Sequence, residues 1–338
     1  MRGAVGYFSV WIIPALGFWA MGRGPFAFFI LLSVIFILHP ILDATITQWD
    51  TQKKLQLGNL SQQSPHWVFQ IPLHSAFPLQ MILLLYAFYA GTHSLSTAIL
   101  SGIICGVSGG IMGMCAAHEL IHRKSKSEKV LGKALLHVLH YPHFHVEHFW
   151  HHLKLASPED VSSATRNESL YAFLIRSTWS GWMISWKWKP KKMAVSAMIQ
   201  IALILTVYFI AGSLAVLLWF VQGVVTVLLL KWIDYLEHYG LERETVKGQL
   251  EKVNTFHSWD STRVFTNWYL YNLGFHSQHH QTPSVPYAEL PRKKTEWNEH
   301  PYGYSTMMLI ALFPPLWRNT LHPILDQSAS AKSLRVEA

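Results

Sequence analysis

Cysteine is nearly missing from this chain: two residues in 338, Cys105 and Cys115, both inside one apolar run. That excludes a disulfide framework, a zinc ribbon and any built-in iron–sulfur module. Charge is scarce as well, at 14%, and its distribution decides the class. No Asp, Glu, Lys or Arg occurs from Gly3 to Gly22, from Gly24 to Leu42, from Leu55 to Ala117 or from Met193 to Leu230. A helix needs about 20 mostly apolar residues to cross about 30 Å of hydrocarbon. The third run holds two such spans, roughly Ala76–Gly91 and Ser94–Ala117, and the fourth holds two more, hinged near Gly212 and Ser213, so six transmembrane helices are expected. A secretory signal at Gly3–Gly22 fits poorly, because Arg2 is the only basic residue before it and a second span follows directly.

Acidic residues are the rarer sign, 19 against 27 basic, for a formal charge of +8. With the N-terminus inside, 26 of the 27 Lys and Arg fall on inside segments: Arg2, Lys53, Lys54, twelve in 118–192 and eleven in 231–338. Only Arg23 falls outside. Cytoplasmic segments retain basic residues, so the charge is a topology signal and does not argue for nucleic-acid binding. The chain reads as one membrane-embedded catalytic domain, 1–338, with a transmembrane frame at about 5–117 and 193–233 and cytoplasmic blocks at 118–192 and 234–338. The expected fold is all-α, six spans under a helical cytoplasmic cap, in a cell inner membrane with both termini inside.

Histidine is what the chain has in excess. Sixteen of the 20 lie in the two blocks, whereas His39, His66, His74 and His93 sit at helix ends or loops of the frame. Three clusters stand out: His118-Glu-Leu-Ile-His122, Glu147-His148-Phe-Trp-His151-His152, and His276-Ser-Gln-His279-His280. An i, i+4 pair puts both imidazoles on one helical face within reach of one metal. In the HxxHH windows we expect i and i+3 to share a face while i+4 reaches a second metal. The first cluster alone could be a zinc protease signature with Glu119 as base, but that leaves the other clustered histidines idle. Eight imidazoles exceed the needs of one ion, and a nitrogen-rich set without thiolate points to oxygen chemistry at two irons.

The order of the three boxes, together with Asp234-Tyr-Leu-Glu237-His238-Tyr239-Gly240-Leu241, resembles the integral-membrane alkane monooxygenases, related to xylene monooxygenase and to membrane fatty-acid desaturases. The HYG segment separates that family from most desaturases. Further similarity runs from Ser157-Pro-Glu-Asp160 to Ala172 and from Asn254 to Pro283. The resemblance implies metal ligation by His118, His122, His148, His151, His152, His238, His276, His279 and His280. The family's second box usually carries a Gly that is missing here, which leaves His145 as an alternative to His148. Glu119, Glu147, Asp234 and Glu237 are expected to hold the ligands' second N–H groups, and Asp160 and Asp260 are as easily ordinary surface acids. His137, His140, His143, His145 and His257 read as polar scaffold or proton path.

What the resemblance implies for chemistry is O2-dependent hydroxylation of an alkane's terminal carbon at a pair of irons. Electrons would come from a reduced rubredoxin or ferredoxin fed by an NAD(P)H-dependent reductase, in keeping with the missing cysteines. The substrate would enter from the bilayer along an apolar channel, for which Trp11, Trp19, Phe26, Phe28, Phe29, Phe36, Tyr86, Phe88 and Tyr89 are candidates alongside ordinary helix packing. Lys124, Lys126, Lys187, Lys189, Lys191 and Lys192 are candidates for docking an acidic donor, or simply inside-face retention. A hydroxylase of methylarenes, terpenes or fatty acyl chains, a desaturase, and a metal transporter or sensor remain alternatives.

Overall fold

The computed structural model describes residues 2–50, 66–246, 248–290 and 298–336; Lys53 and Lys54 lie outside the described residues. Among the described residues the architecture is helical apart from a minimal antiparallel hairpin, Thr245–Val246 with Gln249–Leu250, and one isolated bridge between Asp260 and Glu299. The apolar elements are α1 (Gly6–Ala20), α2 (Gly24–Ile46), α3 (Trp67–Gly91), α4 (Leu95–His122) and α8 (Pro190–His238). Between α4 and α8 come α5 (Lys126–Val138), α6 (Phe144–Lys154) and α7 (Leu170–Trp188). After α8 come α9 (Val264–Tyr269), α10 (His276–Gln281), α11 (Tyr304–Ala311) and α12 (Pro314–Val336).

Among the described residues, four helices rather than six are long and apolar enough to cross a membrane: α2, α3, α4 and α8. The differences have local causes. The first run opens with a 3-10 segment, Gly6–Trp11, and ends at Ala20, so α1 reaches only about 25 Å. The last run is one 49-residue helix broken at Gly212, whose φ of 84° and ψ of −179° no helix contains. At about 1.5 Å per residue it measures about 74 Å, more than twice the hydrocarbon thickness. The break falls at the hinge expected from the sequence.

α4 and α8 form the axis of the frame, and glycines let them touch. A Cβ at Gly102 would lie 2.6 Å from the Leu218 carbonyl oxygen, at Gly106 2.5 Å from Val225 Cβ, and at Gly110 2.7 Å from Leu229 Cδ1. Small residues four apart allow such backbone approach inside a bilayer, where lipid competes equally for apolar surface. A buried polar layer joins α3 to this axis: Gln80 Nε2 donates to Gln222 Oε1 at 3.2 Å and Ser108 Oγ donates to Gln80 Oε1 at 2.9 Å. Toward its histidine end α4 carries a π turn at Gly109–Gly113, which re-aims the final turns bearing the first box.

Candidate metal centre

Four helices converge at one end of the frame. α4 supplies His118 and His122 in its last turns, α6 supplies His148, His151 and His152, α8 ends on His238, and α10 supplies His276, His279 and His280. Their ring nitrogens fall into two groups, His118, His122, His148, His152 and His279 in one, and His151, His238, His276 and His280 in the other; within each, ligand atoms lie within 4.8 Å of one another. The sharing within each HxxHH box differs from expectation. His148 and His152, at i and i+4, face the same group, and His151 at i+3 crosses to the other; His276, His280 and His279 repeat the pattern. On a helix of 3.6 residues per turn i+4 is displaced by about 40° from i, whereas i+3 is displaced by about 60° the other way, so a helix that passes between two groups sorts its histidines in this manner.

The nitrogen spacings describe a place for cations. His148 Nε2 lies 2.8 Å from His122 Nε2 and 2.9 Å from His152 Nε2, and His279 Nε2 is 3.2 Å from His152 Nε2. In the second group His276 Nε2 lies 3.0 Å from His238 Nε2 and 2.9 Å from His280 Nε2, and the His151–His280 separation is 3.3 Å. One Nε2 proton cannot serve two neighbours, and His118 Nε2 is buried with no hydrogen-bond partner. Two nitrogens each about 2.1 Å from one ion, at right angles, lie about 3.0 Å apart. Burial pushes the imidazoles of His148, His152, His276, His279 and His280 well below the ordinary histidine range, which leaves them neutral with lone pairs free, the ligating form.

His151 is the exception. Burial, the largest single influence, would lower it, but the charge and hydrogen bond of Asp160 together with the charge of Asp234 raise it above the ordinary range. Asp160 accepts from His151 Nδ1 at 2.9 and 3.0 Å, from Ala156 and Ser162 N–H at 3.0 Å each, and from Ser163 Oγ at 2.6 Å. Burial pushes this carboxyl upward, yet the His151 charge, that ring's hydrogen bond and Ser163 together hold it below the usual range. Asp260 acts on the third box, accepting from Ser277 N–H at 2.7 Å and Ser277 Oγ at 2.6 Å.

Of the four carboxylates expected to receive ring N–H groups, three bond elsewhere. Glu119 accepts from Arg123 at 2.9 Å and from Tyr287 N–H at 3.0 Å. Glu147 accepts from Tyr141 Oη at 2.9 Å and pairs with Lys231, which also reaches Asp234 at 3.0 Å and Ser162 at 3.2 Å. The fourth, Glu237, takes a hydrogen bond from Tyr304 and stands 3.2 Å from His276 Nε2, on the metal-facing side of that ring. Lys231 is fully buried and was legible only as the charge ending a long apolar run. Asp160 had a signal, its place in the Ser157–Asp160 stretch. His145 lies apart, its Nδ1 2.7 Å from the Pro142 carbonyl oxygen, and burial lowers it to about 4. His137 and His140 share Gln200 at 2.9 and 3.0 Å, and His257 pairs with Glu251 at 3.0 Å.

Residues of both groups line one cavity. Met114, Cys115, Leu230, Ile233 and Leu273 form its apolar wall, and His118, His148, His151, His276, Asp234 and Glu237 its polar one. None of the nine aromatic channel candidates lines it: Phe26, Phe29 and Tyr89 are exposed on the outer surface of the frame, and Phe28, Phe36 and Phe88 pack against its core. Aromatic rings on an outer bilayer-facing surface need no channel to account for them. The six lysines fall at two places in the chain, Lys124 and Lys126 just after α4, and Lys187, Lys189, Lys191 and Lys192 at the junction of α7 and α8.

Comparison with known proteins identifies the lineage. A family model described as fatty acid desaturase matches residues 94–309. An alkane 1-monooxygenase 2 of Alcanivorax borkumensis is 32% identical over 95% of this chain and 90% of its own length. One of Pseudomonas aeruginosa is 30% identical over 93% and 90%. The hydroxylase component of a xylene/toluene monooxygenase of Pseudomonas putida is 23% identical over 62% and 59%. Histidine groups, helical frame and sequence similarity over nearly the whole length together place this chain in the alkane 1-monooxygenase family of membrane enzymes.

Proposed function

We propose that this enzyme hydroxylates the terminal carbon of medium-length alkanes to primary alcohols at two irons, one held by His118, His122, His148, His152 and His279 and the other by His151, His238, His276 and His280. The observation that carries the reading is the pair of histidine groups facing an apolar cavity. When bound, the irons supply the activation of O2, with two electrons and two protons, needed to place one oxygen atom in an unactivated C–H bond and release the other as water. The residues do the rest. Asp160 fixes the tautomer of His151 so that Nε2 faces its group. Glu237 stands beside His276 as a further oxygen donor to the second group. Met114, Leu230, Ile233 and Leu273 exclude water and align a chain that offers no polar handle.

The topology belongs to the same reading. α1 and the two halves of α8, 190–211 and 213–238, join α2, α3 and α4 as six spans, with frame, cap and termini forming one catalytic unit in an inner membrane and the metal centre on the cytoplasmic side. Retention of 26 of 27 basic residues on one side supports this orientation. The donor is a rubredoxin or ferredoxin fed by an NAD(P)H-dependent reductase. It meets the cap near Lys124 and Lys126, where Phe149, 40% exposed, stands 5.3 Å ring to ring from His122.

The test is turnover in membranes under ¹⁸O2 with donor supplied, together with iron analysis. One labelled oxygen per alcohol and two irons per chain are expected. An alkene without label would make the enzyme a desaturase, as the matching family description allows, and a preference for methylarenes would move the substrate toward that of the xylene/toluene relative. Fewer than two irons in active protein would overturn the metal assignment.

A further inference from the structure

α7 has two unlike faces. Leu170, Phe173, Ser177, Gly181 and Ser185 are buried, and Gly181 lies so close to Glu147 that a Cβ there would meet the carboxylate. The other face carries Tyr171, Ile175, Trp179, Trp182 and Met183, exposed by 52, 76, 64, 41 and 48%. These recur at helical spacing along one stripe of about four turns. Tyr171 Oη donates to the Leu312 carbonyl oxygen at 2.8 Å, and beyond it Phe313 and Leu316 are also exposed. The apolar stripe therefore continues from α7 onto the start of α12. At its other end Lys187, Lys191 and Lys192 are exposed, Lys189 lies 4.6 Å above the ring of Trp188, and Pro190 begins the apolar helix α8.

We infer that α7 lies in the membrane surface, with Trp179 and its neighbours among the acyl chains of the nearer leaflet and the lysines at its C-terminal end against anionic phospholipid headgroups. Arg176, which is bound to Glu168 at 2.7 Å, keeps α7 from crossing the bilayer, while an apolar stripe with terminal tryptophans and lysines suits its interface. The peptide chain passes from Trp188 directly into α8, so the stripe meets the same bilayer that α8 enters. The lysines match the anionic headgroups in charge, and none of them has an acidic partner in the described residues' ion pairs.

The inference is independent of the reaction, and its test needs no turnover. A bimane is attached to Trp179→Cys in the full-length, iron-loaded enzyme in nanodiscs; Cys105 and Cys115 are buried. A second sample carries it at Glu244→Cys, a 61% exposed hairpin side chain. Doxyl-labelled phospholipid is expected to quench the label at 179 several-fold more than at 244, and aqueous iodide to do the reverse. Labelled phosphatidylglycerol should quench at 179 more than labelled phosphatidylcholine, and the combined K187Q/K191Q/K192Q substitution should remove that difference. Iodide quenching at 179 equal to that at 244 would overturn the inference in favour of a water-facing stripe. Protection from both quenchers would overturn it in favour of a protein partner, and equal quenching by the two lipids in the unsubstituted chain would overturn the headgroup part.

Discussion

Asp160→Asn removes one charge from a carboxylate that satisfies five hydrogen-bond contacts at once. The amide keeps a single acceptor oxygen and turns an NH2 toward groups that are themselves donors. At least one donor among Ala156 N, Ser162 N and His151 Nδ1 then loses its partner. Hydrogen bonds to a charged group contribute about 1.5–3 kcal/mol each, so losing two of them destabilises the loop by about 3–6 kcal/mol. Substitution of a group that orients a ligating histidine lowers metal affinity or activity about 10–100-fold. The measurements are iron per chain, turnover at saturating iron, and thermal unfolding in nanodiscs. Ser163→Ala is the companion, since it removes one donor to the same carboxylate; it should cost about 1.5–3 kcal/mol and leave iron content unchanged. If Asp160→Asn keeps full iron and full turnover, Asp160 does not hold His151 for a metal.

Other perturbations separate the remaining parts of the structure. Lys231→Met leaves Glu147 and Asp234 buried without their cation and should cost about 3–5 kcal/mol by thermal unfolding; an unchanged midpoint would refute the pairing. Gly106→Leu drives α4 from α8 against Val225 and the Gln222 carbonyl oxygen and should abolish accumulation of folded protein. Gly212→Ala has open space around it, but a φ of 84° with a ψ of −179° is a conformation that glycine alone adopts readily, so it should cost about 1–3 kcal/mol in backbone strain. The iron-free protein should lose stability toward acid. His148, His152 and His279 sit below their ordinary 6.5 because burial disfavours the charged ring, so the unfolded chain takes up protons first, and apo stability falls as pH drops below about 6.5. His151, raised by Asp160, opposes the trend. An iron-loaded sample should show a profile at least as steep, since ligated imidazoles take up no proton while those of the unfolded chain still do, and a flat apo profile would refute the buried neutral imidazoles.

The histidines were legible because their spacing is local: each box is a stretch of helix whose face follows from numbering alone. The hinge at Gly212 was legible for the same reason, an apolar run too long for one crossing. How the members of each box divide between the two groups was not, because that depends on the direction from which α4 and α8 approach α6 and α10. Nor was the partner of His151, since Asp160 arrives through a loop whose turn the spacing does not specify. Lys231 illustrates a different limit. A lysine after a long apolar run reads as the water boundary, but here two carboxylates from different elements, Glu147 and Asp234, solvate it in the interior. The aromatic residues of the frame were poor channel markers from the outset, because lipid and protein interior both suit such rings, and composition alone does not say which of the two a side chain faces.

The glycine contacts of the frame bear on a distance well away from them. α4 delivers His118 and His122 to one histidine group, and α8 delivers His238 to the other. The two helices meet with almost no side chain between them at Gly102, Gly106 and Gly110, so their separation has no slack. Tilt imposed by a thicker or thinner bilayer is shared by both helices and carries both groups along as one body. The separation of the two histidine groups thus follows from close contacts made by glycines that supply no ligand atom.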